Sequence, residues 1–238
     1  MSTSIFPINA GRVDGAEARI TSFIANPSFP CVGAKSALNT HRMRFGHYTA
    51  MCDAAAVRQQ CADLLAFSSE FPTPGAVPVS FLATFRGTDV DEEQFESLMW
   101  RHIQLMHNVD RLRFDWDPSV SSEPAANDFS LSIAGRAFFV VGLHPNASRL
   151  ARRAPVPCLV FNFHDQFMSL KASSKYGSMQ AAIRARDTAL QGSVNPVLAR
   201  FGEASEARQY SGRAVEDHWV CPFSAGSSNQ PRVAARRA

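Results

Sequence analysis

The sequence has no stretch near the ~18 uninterrupted apolar residues that a membrane-spanning helix needs. Its longest apolar run is Ala137–Val141. The segment Met1 to Gly11 lacks the basic, apolar and small-residue regions of a secretory signal. The expectation is a soluble protein in the cytoplasm with no membrane partner. Lysine is scarce: of 24 basic residues only Lys35, Lys171 and Lys175 are lysines, leaving 21 arginines and a net charge of +3. The arginines are scattered among acidic neighbours instead of lying on one stripe, so no nucleic-acid partner is expected. Cysteine is sparse and odd in number, with Cys31, Cys52, Cys61, Cys158 and Cys221 and no C-x-x-C pair. A disulfide framework and a cysteine-rich zinc site are both disfavoured. Also missing are G-x-x-x-x-G-K-[ST], G-x-G-x-x-G, H-E-x-x-H and G-x-S-x-G. Nucleotide, zinc-protease and serine-hydrolase chemistry therefore lack local support.

What remains is a chain of 238 residues, 45% hydrophobic and 19% charged. A chain this long can bury roughly 70% of its unfolded surface and needs no staple to hold a core. One domain is expected over residues 1–226. The tail 227–238, with Ser227, Ser228, Pro231 and three arginines but no apolar periodicity, is expected to be disordered.

Helical spacing predicts helices over Val13–Ala25, Ala34–Met43 and Asp53–Phe67, and a longer one after Thr88 and Asp89, which look like caps. That longer helix carries Asp91, Glu92 and Glu93 at its positive end, with Phe95, Leu98, Met99, His102, Leu105, Met106 and Val109 on one side. Phe71–Pro78 is a breaker-rich loop. Strands are predicted at Val79–Phe85 and Cys158–His164, and a hairpin at Phe129–Ile133 and Arg136–Leu143 turning at Ala134 and Gly135. Gln166–Leu190 reads as helical with a break at Tyr176 and Gly177, and Glu203–Arg208 as a further turn. The expected fold class is α+β (mixed α/β), a central mixed sheet with helices packed on it.

Three segments carry candidate chemistry. Phe29-Pro30-Cys31-Val32-Gly33 puts a cysteine just ahead of a helix, where free amides and the helix dipole stabilise a thiolate. C-x-G leading into a helix also looks like the ligand loop of thiolate heme monooxygenases. The plainer reading is a buried structural cysteine. His144 ends an apolar strand, and Ser148, Arg149, Arg152 and Arg153 follow it with groups that can hold carboxylates. His164, beside Asp165, could be a ligand or general base. His102 and His107, five residues apart, lack the spacing for joint metal binding and read as structural. Phe45, Tyr48, Phe81, Phe85, Phe138, Phe139, Phe161, Phe163 and Phe167 could line a porphyrin pocket or simply fill a core.

Several stretches together resemble one family: Phe29-Pro30-Cys31, Gly142–Arg153 (GLHPNASRLARR), Val160–Phe167 (VFNFHDQF), Ile183–Asp187 (IRARD), Leu190–Pro196, Phe201–Arg213 (FGEASEARQYSGR) and Trp219–Phe223 (WVCPF). The chain resembles the YqcI/YcgG family, whose hallmarks are an FPC motif near the start and a CPF motif near the end. The resemblance implies a heme-dependent oxygenase that N-hydroxylates the guanidino group of L-arginine or an arginine-like compound in specialised-metabolite biosynthesis. Heme b would be held non-covalently, since no C-x-x-C-H is present. Dioxygen with an external electron donor, or hydrogen peroxide, would be the oxidant. On this reading Cys31 is the proximal ligand, with His144 and Cys221 as alternatives and His164 a further catalytic candidate. Arg149, Arg152, Arg153, Arg208 and Arg213 are candidates to clamp the propionates. Asp165, Glu203 and Glu206 are candidates to bind the substrate guanidinium. A heme carrier or sensor, and a heme-free enzyme with Cys31 as nucleophile and His144 as base, are the alternative readings.

Overall fold

A computed structural model describes residues 15–87, 89–173, 175–196 and 204–226. Thr88, Glu203 and the tail 227–238 lie outside them. The fold is a mixed five-stranded sheet with helices on both faces. The strands are β1 (Met43–Tyr48), β2 (Ser80–Phe85), β3 (Leu131–Ile133), β4 (Arg136–Leu143) and β5 (Cys158–Phe163), in the order β1-β2-β5-β4-β3. β1 and β2 are parallel and the other pairs antiparallel. The helices are α1 (Ala16–Ala25), α2 (Val32–Asn39), α3 (Ala54–Glu70), α4 (Glu92–Asp110), α5 (His164–Ala172), α6 (Lys175–Gln191) and α7 (Ala207–Tyr210), with a 3₁₀ turn at Leu150–Arg152 before β5. Among the described residues no helix is long and apolar enough to cross a membrane.

Local chemistry sets most boundaries. Asp91 caps α4: its carboxylate accepts from the Gln94 amide at 2.8 Å, and the Gln94 side chain accepts from the Asp91 amide at 3.2 Å. This reciprocal pair satisfies two amides that the first turn leaves open. Asp91, not Thr88 or Asp89, is therefore the cap. In the β3–β4 hairpin Ala134 and Gly135 both have positive φ, 56° and 70°, as a two-residue turn matched to strand twist requires.

Two boundaries differ from expectation. The helix predicted over Ala34–Met43 ends at Asn39, because His41 adopts a left-handed φ of 56° and turns the chain into β1. Met43 then pairs with Ser80 and opens a strand, not predicted from the sequence, that continues to Tyr48. The break between α5 and α6 falls after Ala172, ahead of Tyr176 and Gly177.

Strand alternation divides the sheet into two faces. Phe81, Phe138, Phe161 and Phe163 point toward α3 and α4, where they join Phe67, Phe95 and Tyr210 in the larger core. Phe67 stacks on Phe163 with centroids 4.7 Å apart. Met43, Leu82, Leu143 and Cys158 point the other way and pack with Ile20, Ile24, Phe29 and Ala37 of the α1–α2 region. Six of the nine aromatics that could have lined a porphyrin pocket, Tyr48, Phe81, Phe85, Phe138, Phe161 and Phe163, fill the larger core. The smaller core is incomplete. A cavity opens where it meets α5 and α6.

Candidate functional site

The cavity has a volume of about 320 Å³. Its floor is the sheet, through Leu82, Val141 and Val160, and Phe139 and Phe167 also line it. Register explains the floor: Leu82 pairs with Val160, and Val160 with Val141, so three branched side chains from β2, β5 and β4 form one row. The opposing wall is α6, where Tyr176, Met179, Gln180, Ile183 and Asp187 recur at helical spacing on one face.

Cys31 stands in this cavity as the N-cap of α2, with its sulfur accepting from the Ala34 amide at 3.4 Å. Burial pushes its thiol up, while the Ala34 and Gly33 amides and the Arg152 guanidinium pull it back toward ionisation. A Cβ on Gly33 would stand 3.9 Å from the sulfur and from Pro78. The glycine thus keeps the space beside the sulfur open.

Glu206 is the carboxylate of the expected trio that reaches the cavity. It is 2% exposed, Ser130 donates to one oxygen at 2.9 Å, and Nδ1 of His164 lies 3.6 Å from the other. Asp165 is instead paired with Arg136 at 2.8 Å, away from the cavity lining, and Glu203 lies outside the described residues.

The arginines divide similarly. Arg152 lines the cavity, but its guanidinium donates to the carbonyls of Gly142, Gln209 and Tyr210 at 3.0–3.1 Å. Burial lowers its pKa to about 10, against an opposing pull from Cys31. Arg149 also lines the cavity and is bound to Asp187 at 2.6 Å and to Ser193. Arg153 donates to the Ala147 carbonyl, Arg208 to that of Glu216, and Arg213 pairs with Glu96 and Glu216. None of these last three lines the cavity.

The alternative ligands lie elsewhere. His144 is fully buried against Phe95, with ring centroids 4.3 Å apart, and neither ring nitrogen has a hydrogen-bond partner among the described residues. Burial lowers its proton affinity, against the pull of Glu92 and Asp91. Cys221 packs against the larger core on the other side of the sheet, where burial pushes its thiol up to about 12. Neither lines the cavity, and His164, also absent from the lining, lies 3.6 Å from Glu206, which is part of it. The structure thus brings Cys31, Glu206, Arg149 and Arg152 together and separates them from His144, Cys221, Arg153, Arg208, Arg213 and Asp165. Arg184, Gln209 and Asn195 also line the cavity and were not singled out from the sequence. The helical recurrence of Tyr176, Gln180, Ile183 and Asp187 was the signal that could have pointed to α6.

The family model described as YqcI/YcgG family matches residues 20–224. The chain belongs to the YqcI/YcgG family. The match takes in every residue that lines the cavity. No curated protein and no solved structure shows significant similarity to the chain.

The residues of this YqcI/YcgG chain fit a heme. A sulfur that accepts a helix amide, lies near a guanidinium and faces apolar walls beside an open glycine suits an iron-bound thiolate. Among the described residues no group of three or more His, Cys, Asp or Glu could hold a bare metal ion. An iron at Cys31 would bring its own equatorial ligands, as a porphyrin does.

Proposed function

We propose that the chain is a heme-dependent oxygenase that N-hydroxylates the guanidino group of L-arginine or an arginine-like compound. The observation that carries the reading is that the Cys31 sulfur and the buried Glu206 carboxylate open onto one apolar cavity. Bound non-covalently, heme b would supply the activation of oxygen: from dioxygen, one atom goes to the nitrogen and one to water with two electrons and two protons from a separate donor, or peroxide supplies both oxygen and electrons.

Cys31 would hold the heme iron through its sulfur, and the Ala34 amide and Arg152 favour the thiolate that such binding needs. Glu206 holds the substrate guanidinium, whose planar N–H pair matches a carboxylate. Ser130 fixes the outer oxygen of that carboxylate, and His164 lies beside the other. Leu82, Val141 and Val160 keep water from the reacting nitrogen. Five free cysteines suit a reducing compartment and support a cytoplasmic location for this enzyme.

The test is the absorption spectrum of protein produced with heme supply and reduced under carbon monoxide, for the wild type, Cys31→Ala and His144→Ala. A strongly red-shifted Soret band lost only in Cys31→Ala is expected. An imidazole-type band lost in His144→Ala would move the ligand, and colourless wild-type protein would overturn the heme reading. L-arginine should perturb the spectrum, and Glu206→Gln should weaken that binding about tenfold or more. Tight heme binding with no arginine response would leave a carrier or sensor.

A further inference from the structure

Three arginines line the cavity, and two of them, together with Arg186 of the same helix as the third, are committed to the protein itself. Arg152 serves three carbonyls, Arg149 is held by Asp187 and Ser193, and Arg186 donates to the carbonyls of Pro27 and Phe29. Arg184 differs. It lines the cavity from α6, is only partly buried, and no hydrogen bond or ion pair engages it among the described residues. Its natural intrahelical partner would be Asp187, one turn on. That carboxylate is already taken by Arg149 at 2.6 Å and by the Asn195 amide at 3.2 Å. The charges on the cavity wall therefore do not all cancel. Arg149 and Asp187 neutralise each other, and Arg152 is solvated by carbonyl dipoles. Among the described residues Arg184 is left as a cation without a counter-charge, and Glu206, with His164 3.6 Å away, is the anion on the wall that no arginine engages.

Their depths differ as well. Glu206 is 2% exposed and Arg184 partly exposed, so the anion lies deep and the cation nearer solvent. The α6 face adds Met179 and Ile183 to the same cavity wall. A ligand that matches this wall carries a cationic head inward, an apolar middle, and a carboxylate outward.

We propose that Arg184 is the carboxylate anchor of the cavity. The inference rests on the guanidino-hydroxylase reading and adds to it the substrate class, an α-carboxylate-bearing guanidino compound over its decarboxylated counterpart. The same guanidinium could instead hold a porphyrin propionate, which is the same chemistry from another source, and the test separates the two.

Wild type, Arg184→Gln and Arg184→Lys are titrated with protoporphyrin IX and with its dimethyl ester. The heme-loaded proteins are titrated with L-arginine and with agmatine, which lacks the carboxylate. Thermal melts check that each variant is folded; Arg184 makes no polar contact among the described residues, so the melts should be unchanged. The expected result is an L-arginine preference over agmatine of about tenfold in wild type, lost in Arg184→Gln and largely kept in Arg184→Lys, with the acid-to-ester ratio unmoved. A change confined to the acid-to-ester ratio would assign the anchor to a propionate. If Arg184→Gln binds all four ligands as wild type does, the anchor is overturned and the proposed function stands. If wild type binds neither porphyrin nor guanidine, the proposed function falls and the anchor falls with it.

Discussion

Arg152 joins the cavity to its scaffold. Its guanidinium is buried with three carbonyl acceptors, two of them from residues 57 and 58 positions away. Arg152→Met should leave those carbonyls without a donor and cost roughly 3 kcal/mol or more in urea unfolding. It should also slow alkylation of Cys31 at a given pH, because a cation that favours the thiolate is gone. The sequence showed Arg149, Arg152 and Arg153 as a basic cluster suited to propionates. It could not show that Asp187 and the 207–212 region had prior claim on two of them. Cys31 at a helix start was legible from Phe29-Pro30-Cys31 followed by helix formers. Glu206 was one of three acidic candidates, and the choice depended on where Arg136 lies, since Arg136 takes Asp165 out of contention.

At the scale of elements, Gly142 on β4 is a tight junction. A Cβ there would lie 2.8 Å from a Phe95 ring carbon, 3.1 Å from the Met99 sulfur and 3.1 Å from the Tyr210 carbonyl. Gly142→Ala should therefore lower stability by about 2 kcal/mol or more, read as a shift of the denaturation midpoint, because a ring, a helix side chain and a backbone oxygen cannot all give way. Asp91→Ala removes one half of the α4 capping pair, and a loss of about 1 kcal/mol is expected in the same measurement. The strands were readable where alternation and turn residues agreed, as at Ala134 and Gly135. β1 was hidden because Ala34 to Met43 is composed of residues that a helix accepts. The left-handed His41 and pairing with β2 override that local preference.

The whole molecule titrates through groups sealed in the larger core. His102 is fully buried, accepts from the Cys52 amide at 2.9 Å and faces Gln60 at 2.8 Å, and burial lowers its pKa to about 4. The unfolded chain takes up this proton near pH 6.5 and the folded one near 4, so its stabilisation is complete above about 6.5 and fades as pH falls through that window. His107 and His144 shift in the same direction. Asp110 opposes them: burial raises its pKa to about 6, so the folded form binds the proton more tightly and is favoured as pH drops from 6 toward 4. Asp110→Asn should remove that opposition. Equilibrium unfolding of the variant should then fall with acid more steeply than wild type between pH 4 and 6, by up to about 1.4 kcal/mol per pH unit. An unchanged slope would show that Asp110 ionises normally in the fold.

The middle of the sheet has a kinetic consequence. β2 pairs with β5, and Ser80 reaches Asn162 across 82 positions of chain. During synthesis α1, α2, β1, α3 and β2 are all complete while two of the three side chains of the cavity floor are still unmade. Long-range pairing of this kind closes a large loop before its contacts are gained, and so it is slow. Cys31 is among the first residues of the site to emerge, yet the Val160 and Val141 that shield it arrive more than 100 residues later. The nascent chain thus carries an unshielded thiol until β5 docks, and any occupant of the cavity can be enclosed only once the last third of the chain has joined the fold.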